Sequence, residues 1–250
     1  MSRAALVRLG LTLLVVLLLE LLCRTGVIDN LTMPPPSIIL RDMFALLASG
    51  KMNGAMLKTL WNVVAAFVAA TIAGICLGVA IHGQRALRQG LEPLFATYYA
   101  IPVFAFYPLL IVLFALGDAP QIIIGFMLAV VAVIMNTLAG FDRISRVLIK
   151  TARVHRLSPV DTALHVTLPC ATPYLLTGVR LAVAYAFIGV IGAEFIMSNT
   201  GVGYEISFAY NNFDNATMYP LILLILLFSV VVNAALSRWE ITLMKRRGYR

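Results

Sequence analysis

Six apolar stretches, at about 7–23, 59–81, 93–116, 120–139, 173–197 and 218–237, dominate this chain. Each is near the roughly 20 residues that an α-helix needs to cross a bilayer. Of its residues 61% are hydrophobic and only 12% are charged, against about 25% charged in a soluble domain. Water cannot solvate a chain with so little polar surface, so lipid is the expected solvent. The expected fold is all-α and integral to the membrane: one domain over 1–250, with six transmembrane helices.

The first stretch, Leu9 to Cys23, follows Arg3 and Arg8 and has the leucine-rich look of a signal peptide. Glu20 and Arg24 occupy the place where a small-residue cleavage site would be needed, so it reads as an uncleaved first span. Between stretches three and four stand only Gly117, Asp118 and Ala119, a tight turn that makes two antiparallel neighbours.

The net charge is +8, and its distribution carries information. With the N-terminus inside, 15 of the 19 basic residues fall on one side, leaving Arg24, Arg41, Lys51 and Lys58 on the other. Cytoplasmic loops are the basic ones, so both termini are expected in the cytoplasm. The charge is thus a topology signal, and no nucleic-acid partner is implied.

Two segments outside the spans are long enough to matter. On the outer side, Met33-Pro34-Pro35-Pro36-Ser37 predicts an extended arm, because proline lacks an N–H and resists the helix. An amphipathic helix is expected to follow over Ile38 to Ala48, lying on the membrane surface or packed on the spans. On the inner side, Arg143 to Arg156 predicts a basic helix continuing from span four. Ser158-Pro159-Val160-Asp161 then predicts a fresh helix start: serine suits the N-cap, proline the first helical position and an acid the third. That helix, about 159–167, is expected to end at Leu168-Pro169.

These inner residues resemble a known family. Permease subunits of type I ABC importers carry a cytoplasmic signature, Glu-Ala-Ala, then Gly, then Ile-x-Leu-Pro. The same spacing runs here through Lys150-Thr151-Ala152, Arg156, Val166 and Leu168-Pro169. Pro173 to Arg180, Ala193-Glu194 and Gly201-Val202-Gly203-Tyr204 are similar too. Pro34 to Ser37, Ala100-Ile101-Pro102 and Phe114 to Gly117 resemble the sulfonate, nitrate and taurine branch. The resemblance covers about residues 33–210 and departs within the signature itself. Only Ala152 of the triplet remains, Lys150 reverses the charge of the glutamate, and Arg156 replaces a glycine whose tight bend arginine is not expected to supply.

The resemblance implies a multi-pass subunit of the bacterial inner membrane that moves a small solute by alternating access. The implied solute is an organic anion such as a sulfonate, or nitrate, or a vitamin precursor. Implied partners are an ATP-binding subunit, a second permease copy or paralogue, a periplasmic or lipid-anchored solute-binding protein, and membrane lipid. Lys150, Ala152, Arg156, Leu157, Pro159, Asp161, Leu168 and Pro169 would couple the chain to the ATPase. The alternative is a secondary transporter or channel without an ATPase partner.

Other chemistry finds little support. The sequence has no GxxxxGK[ST] phosphate loop, so ATP hydrolysis would fall to a separate subunit and the chain is not expected to be an enzyme. Cys23, Cys76 and Cys170, like the three histidines, lack metal-ligand spacing, and no metal or cofactor is expected. Gly74 and Gly78 form a GxxxG suited to close helix packing. Pro102, Phe106 and Pro108 make span three a candidate pore wall, with aromatic packing as the alternative. Glu194 either faces the pore as a gating group or hydrogen-bonds the nearby Asn199-Thr200-Gly201 turn.

Overall fold

The computed structural model describes residues 3–29 and 32–246; Arg247 and Arg250, counted among the inner cations, lie outside them. The chain runs through α1 Arg3–Arg24, α2 Pro36–Ser49, α3 Asn53–Gly83 and α4 Arg85–Tyr98, then a 3-10 turn Val103–Phe106 and α5 Tyr107–Phe114. There follow α6 Asp118–Asp142, α7 Arg146–Val154, α8 Pro159–Thr162, a π-helical turn Ala163–Thr167 and α9 Leu168–Met197. α10 Val202–Asn211 and α11 Asn215–Arg246 complete it, and no strand occurs among the described residues.

Five of these helical stretches are long and apolar enough to cross a membrane: Leu6–Arg24, Asn53–Gly83, Asp118–Asp142, Val160–Ile196 and Asn215–Met244. The third expected span, 93–116, is not one helix. It is broken between α4 and α5, where Pro102 takes a non-helical ψ of 89°. Proline drives its predecessor, here Ile101, away from the helical region, and it offers no N–H to continue the ladder. Pro108 is harmless by contrast, because it sits in the first turn of α5, where an N–H would be unpaired anyway.

α6 is the axis of the fold. Its apolar window is 56% buried, against 28% for α3 and 11% for α11, and it packs on α3 and α9 along most of its length. The packing depends on absent side chains. A Cβ added at Gly74 would stand 2.5 Å from Val133, and one at Gly78 would stand 2.7 Å from Thr137, so the GxxxG is the face α3 offers to α6. Gly125 and Gly189 meet backbone to backbone where α6 crosses α9. Without a hydrophobic drive between helices in lipid, close approach of this kind supplies the dispersion energy of association.

α2 packs against α11 with Ile39 and Met43 buried, while Ile38 and Phe44 remain exposed. The extended arm is shorter than expected, because Pro36 is already the first residue of α2. Glu20 of α1 accepts hydrogen bonds from the Ser37 N–H (2.9 Å) and hydroxyl (2.7 Å), and its carboxylate is also held by Arg24 at 2.6 Å. An acid from another helix thus satisfies the positive N-terminus of α2.

Candidate functional site

Two polar assemblies lie at opposite ends of the bundle. The first is an elbow between α6 and α9. α6 stops at Asp142, and Ser145 starts α7 afresh by accepting the Val147 N–H at 3.3 Å, so the basic helix does not continue from span four as expected. α7 ends when Arg156 turns left-handed, at φ 53°. The Arg156 N–H reaches the Arg153 carbonyl and the Leu157 N–H reaches the Ala152 carbonyl, both at 3.0 Å. This pair is the Schellman closure of a helix, and its left-handed residue is usually glycine. Arginine therefore does supply the bend that the sequence alone denied it. A Cβ in that region costs about 1 kcal/mol. Arg156→Gly is accordingly expected to raise stability by about 1 kcal/mol, seen as a higher thermal midpoint in detergent.

Ser158 then caps α8 as expected. Its hydroxyl accepts the Asp161 N–H at 3.1 Å and donates to the Asp161 carboxylate at 2.6 Å. The new helix does not end at Leu168-Pro169. It runs on into α9, giving one rod over Val160–Ile196, about 55 Å long. Pro169 has no N–H and its ring crowds the preceding turn, so the backbone widens to a π turn just before it, with the Leu168 N–H bonding back to the Ala163 carbonyl. Leu168 and Pro169 are half-buried within this rod.

The elbow presents Lys150, Arg153, Arg156 and Leu157 to the outside, with Val154 80% and Val147 68% exposed beside them, while Ala152 is buried beneath. Among the described residues, none of Arg143, Arg146, Lys150, Arg153 or Arg156 has an ion-pair partner. Nearby, Arg88 of α4 grips Asp142 through two hydrogen bonds and fastens α4 to the end of α6.

The second assembly, at the other end of the rod, is a buried polar knot. Glu194 is fully buried, and both its oxygens accept from the Thr59 hydroxyl, at 2.9 and 2.8 Å. The Gly203 N–H donates to it at 3.0 Å, and the Thr59 oxygen in turn accepts the Val202 N–H at 2.8 Å. The partners of Glu194 are thus Thr59 and Gly203, not the 199–201 turn. Gly201 contributes by lacking a side chain: a Cβ there would collide with the Glu194 carboxyl group, and its φ of 104° suits glycine alone. Asn62 donates to Gln121 at 2.7 Å, Gln121 donates to Ser198 at 2.7 Å, and Lys58 pairs with Asp118 at 2.6 Å. The knot thereby ties α3, α6, α9 and α10 together. The sequence reading gave Thr59, Asn62 and Gln121 no site role, although three polar side chains at the edges of apolar stretches were a signal.

Pro102, Phe106 and Pro108 all lie in the broken segment. Phe106 is 40% exposed, and Phe104 packs against Gly192 of α9. A cavity of about 270 Å³ opens between α3, α9 and α11. Its wall is mostly apolar, with Leu57, Leu60, Phe187, Ile191 and Phe228, and it offers an anion no positive charge.

The family described as binding-protein-dependent transport system inner membrane component matches residues 66–240, which span both the broken segment and the elbow. The chain belongs to this family. Relatives agree. The nitrate import permease protein NrtB of Leptolyngbya laminosa is 31% identical over 176 residues, 70% of this chain and 63% of the relative. This chain therefore spans just under two thirds of that relative's length. The taurine transport system permease protein TauC of Escherichia coli K12 is 28% identical over 73% of this chain and 68% of its own. In fold, the chain resembles one of the MetNI methionine ABC transporter in its inward-facing conformations, with TM-score 0.66, 16% identity, and coverage of 76% of this chain and 94% of that one. As a family member the chain is a multi-pass membrane component.

Proposed function

We propose that this chain is the membrane-spanning subunit of an ATP-driven importer for a small anion. The observation that carries the reading is the elbow. Two capped turns hold an exposed apolar and cationic surface at the foot of a rod that crosses the whole bundle, and nothing among the described residues covers that surface. A separate ATP-binding subunit seats there, against Lys150, Arg156, Leu157, Pro159 and Asp161, with Ala152 packed beneath the contact and Leu168 and Pro169 passing its movement into the rod.

The broken segment, α4 with α5, makes the sixth crossing and faces a second copy or paralogue. The apolar face of α5, with Leu109, Val112 and Leu113 exposed, supports that placement. Pro102, Phe106 and Pro108 then border the translocation path between the copies. Glu194, with no exposed atom, acts as the clasp of the knot. The excess of basic residues puts both termini and the elbow in the cytoplasm, and α10 faces a periplasmic or lipid-anchored solute-binding protein. The solutes named for the relatives, nitrate and the sulfonate-bearing taurine, support a small solute with an anionic group.

Two measurements test this. Co-purification from native membranes is expected to bring down an ATP-binding subunit, and its absence would favour a secondary transporter or channel. In intact cells, cysteines replacing Asn53 and Asn212 are expected to react with an impermeant maleimide, and one replacing Arg146 is not. Labelling at position 146 would invert the topology and sink the reading.

A further inference from the structure

The turn between α10 and α11 carries a side chain that the fold does not use. Phe213 is 90% exposed, and it holds a left-handed φ of 57°. The Phe213 N–H bonds to the Tyr210 carbonyl (3.2 Å) and the Asp214 N–H to the Ala209 carbonyl (2.8 Å), so α10 closes in the same Schellman pattern as α7. Glycine would fill this position without strain, and burial does not reward the ring. Neither backbone geometry nor packing accounts for a phenylalanine here.

The turn is also rigid. Asn211 and Asn212 each donate an amide N–H back into α10, to the carbonyls of Ser207 (2.9 Å) and Phe208 (2.8 Å). Asp214 caps α11 by accepting the Thr217 N–H at 3.2 Å. The base of the turn is anchored by Ala209, Met218 and Leu221, all buried. A ring held out on a stiff support loses little entropy when a partner covers it.

We propose that Phe213 is the anchor by which a soluble solute-binding protein docks on the outer face. This rests on the importer reading above and adds the chemistry of the contact. Beside the ring stand the exposed side chains of Asn211, Asn212 and Asp214, two amides and a carboxylate. The matching pocket on the partner is therefore apolar at its centre and polar at its rim, with a cation or an N–H donor to meet the Asp214 carboxylate. An aromatic centre within a polar, water-excluding rim is the usual anatomy of a binding hot spot. The same rim argues against the ring dipping into lipid, since a carboxylate and two amides would be dragged in with it.

Phe213→Gly tests this without threatening the fold, because it relieves strain. The permease would be reconstituted with its ATP-binding subunit in nanodiscs and titrated with the purified, co-transcribed solute-binding protein. Phe213→Gly is expected to weaken binding by at least about tenfold, with the thermal midpoint unchanged or raised. The indole introduced by Phe213→Trp is expected to shift its emission to the blue when the partner is added, and to resist quenching by brominated phospholipid before that. If the parent complex binds and Phe213→Gly binds equally well, the anchor is wrong while the importer reading stands. Quenching by brominated lipid in the absence of partner would place the ring in the bilayer and likewise overturn the anchor. A parent complex that binds no solute-binding protein at all would remove the importer reading and the anchor together.

Discussion

Thr59→Val is expected to destabilise the protein by about 3 kcal/mol, while Thr59→Ser is close to neutral. Valine keeps the shape of threonine but removes its hydroxyl. The fully buried Glu194 carboxylate then loses its donor on α3, and the Val202 N–H loses its acceptor. Breaking a buried polar arrangement by removing one member leaves the others unsatisfied in a medium that cannot solvate them, which is why the cost exceeds that of an ordinary hydrogen bond. The double variant Thr59→Val/Glu194→Leu removes both sides of the contact and is expected to cost less than the two single changes added together. Thermal unfolding of the four proteins in detergent measures this. Strictly additive costs would mean that the knot does not act as a unit.

Leu157→Asp has the largest functional effect expected. Leu157 is 39% exposed on the elbow, and its backbone N–H, not its side chain, closes the end of α7. The chain should therefore fold and insert with an unchanged thermal midpoint. If the ATP-binding subunit covers this surface, the new carboxylate is forced into an apolar contact without a partner. Transport is then expected to fall by at least about tenfold, the scale of a lost hot spot, with Leu157→Ile retaining activity. Solute uptake and ATP hydrolysis in proteoliposomes would be measured together. Normal uptake by Leu157→Asp would show that the coupling surface lies elsewhere.

Much of this was legible in the sequence because it is local or one-dimensional. The apolar stretches around α3, α6, α9 and α11 announce themselves, since lipid demands long runs of apolar side chains with every backbone group paired within the run. Ser158 with Asp161, and Gly74 with Gly78, were equally readable: a cap and a packing stripe are each written within one turn or two. The helix start at Ser158-Pro159 marked the elbow, and the spacing from Lys150 to Pro169 gave it a family resemblance.

The tertiary structure decided what depends on residues far apart or on a choice between local rules. Pro102 and Pro169 look alike on paper, yet one breaks a helix and the other only widens it. Pro102 follows α4, which lies at the margin of the bundle and touches α6 only through a few side chains such as Tyr98, whereas Pro169 lies in a rod pressed against α6, where a π turn costs less than abandoning the packing. Arginine at 156 was read as unable to bend the chain. The flanking caps overrule that preference, because two hydrogen bonds outweigh about 1 kcal/mol of left-handed strain. Glu194 could not be assigned from its neighbours in sequence, because its donor Thr59 lies 135 residues away. Periodicity and composition fix what each helix is. Which buried polar groups find one another is fixed only when the helices meet, since only then does an unsatisfied carboxylate carry the cost that selects its partner.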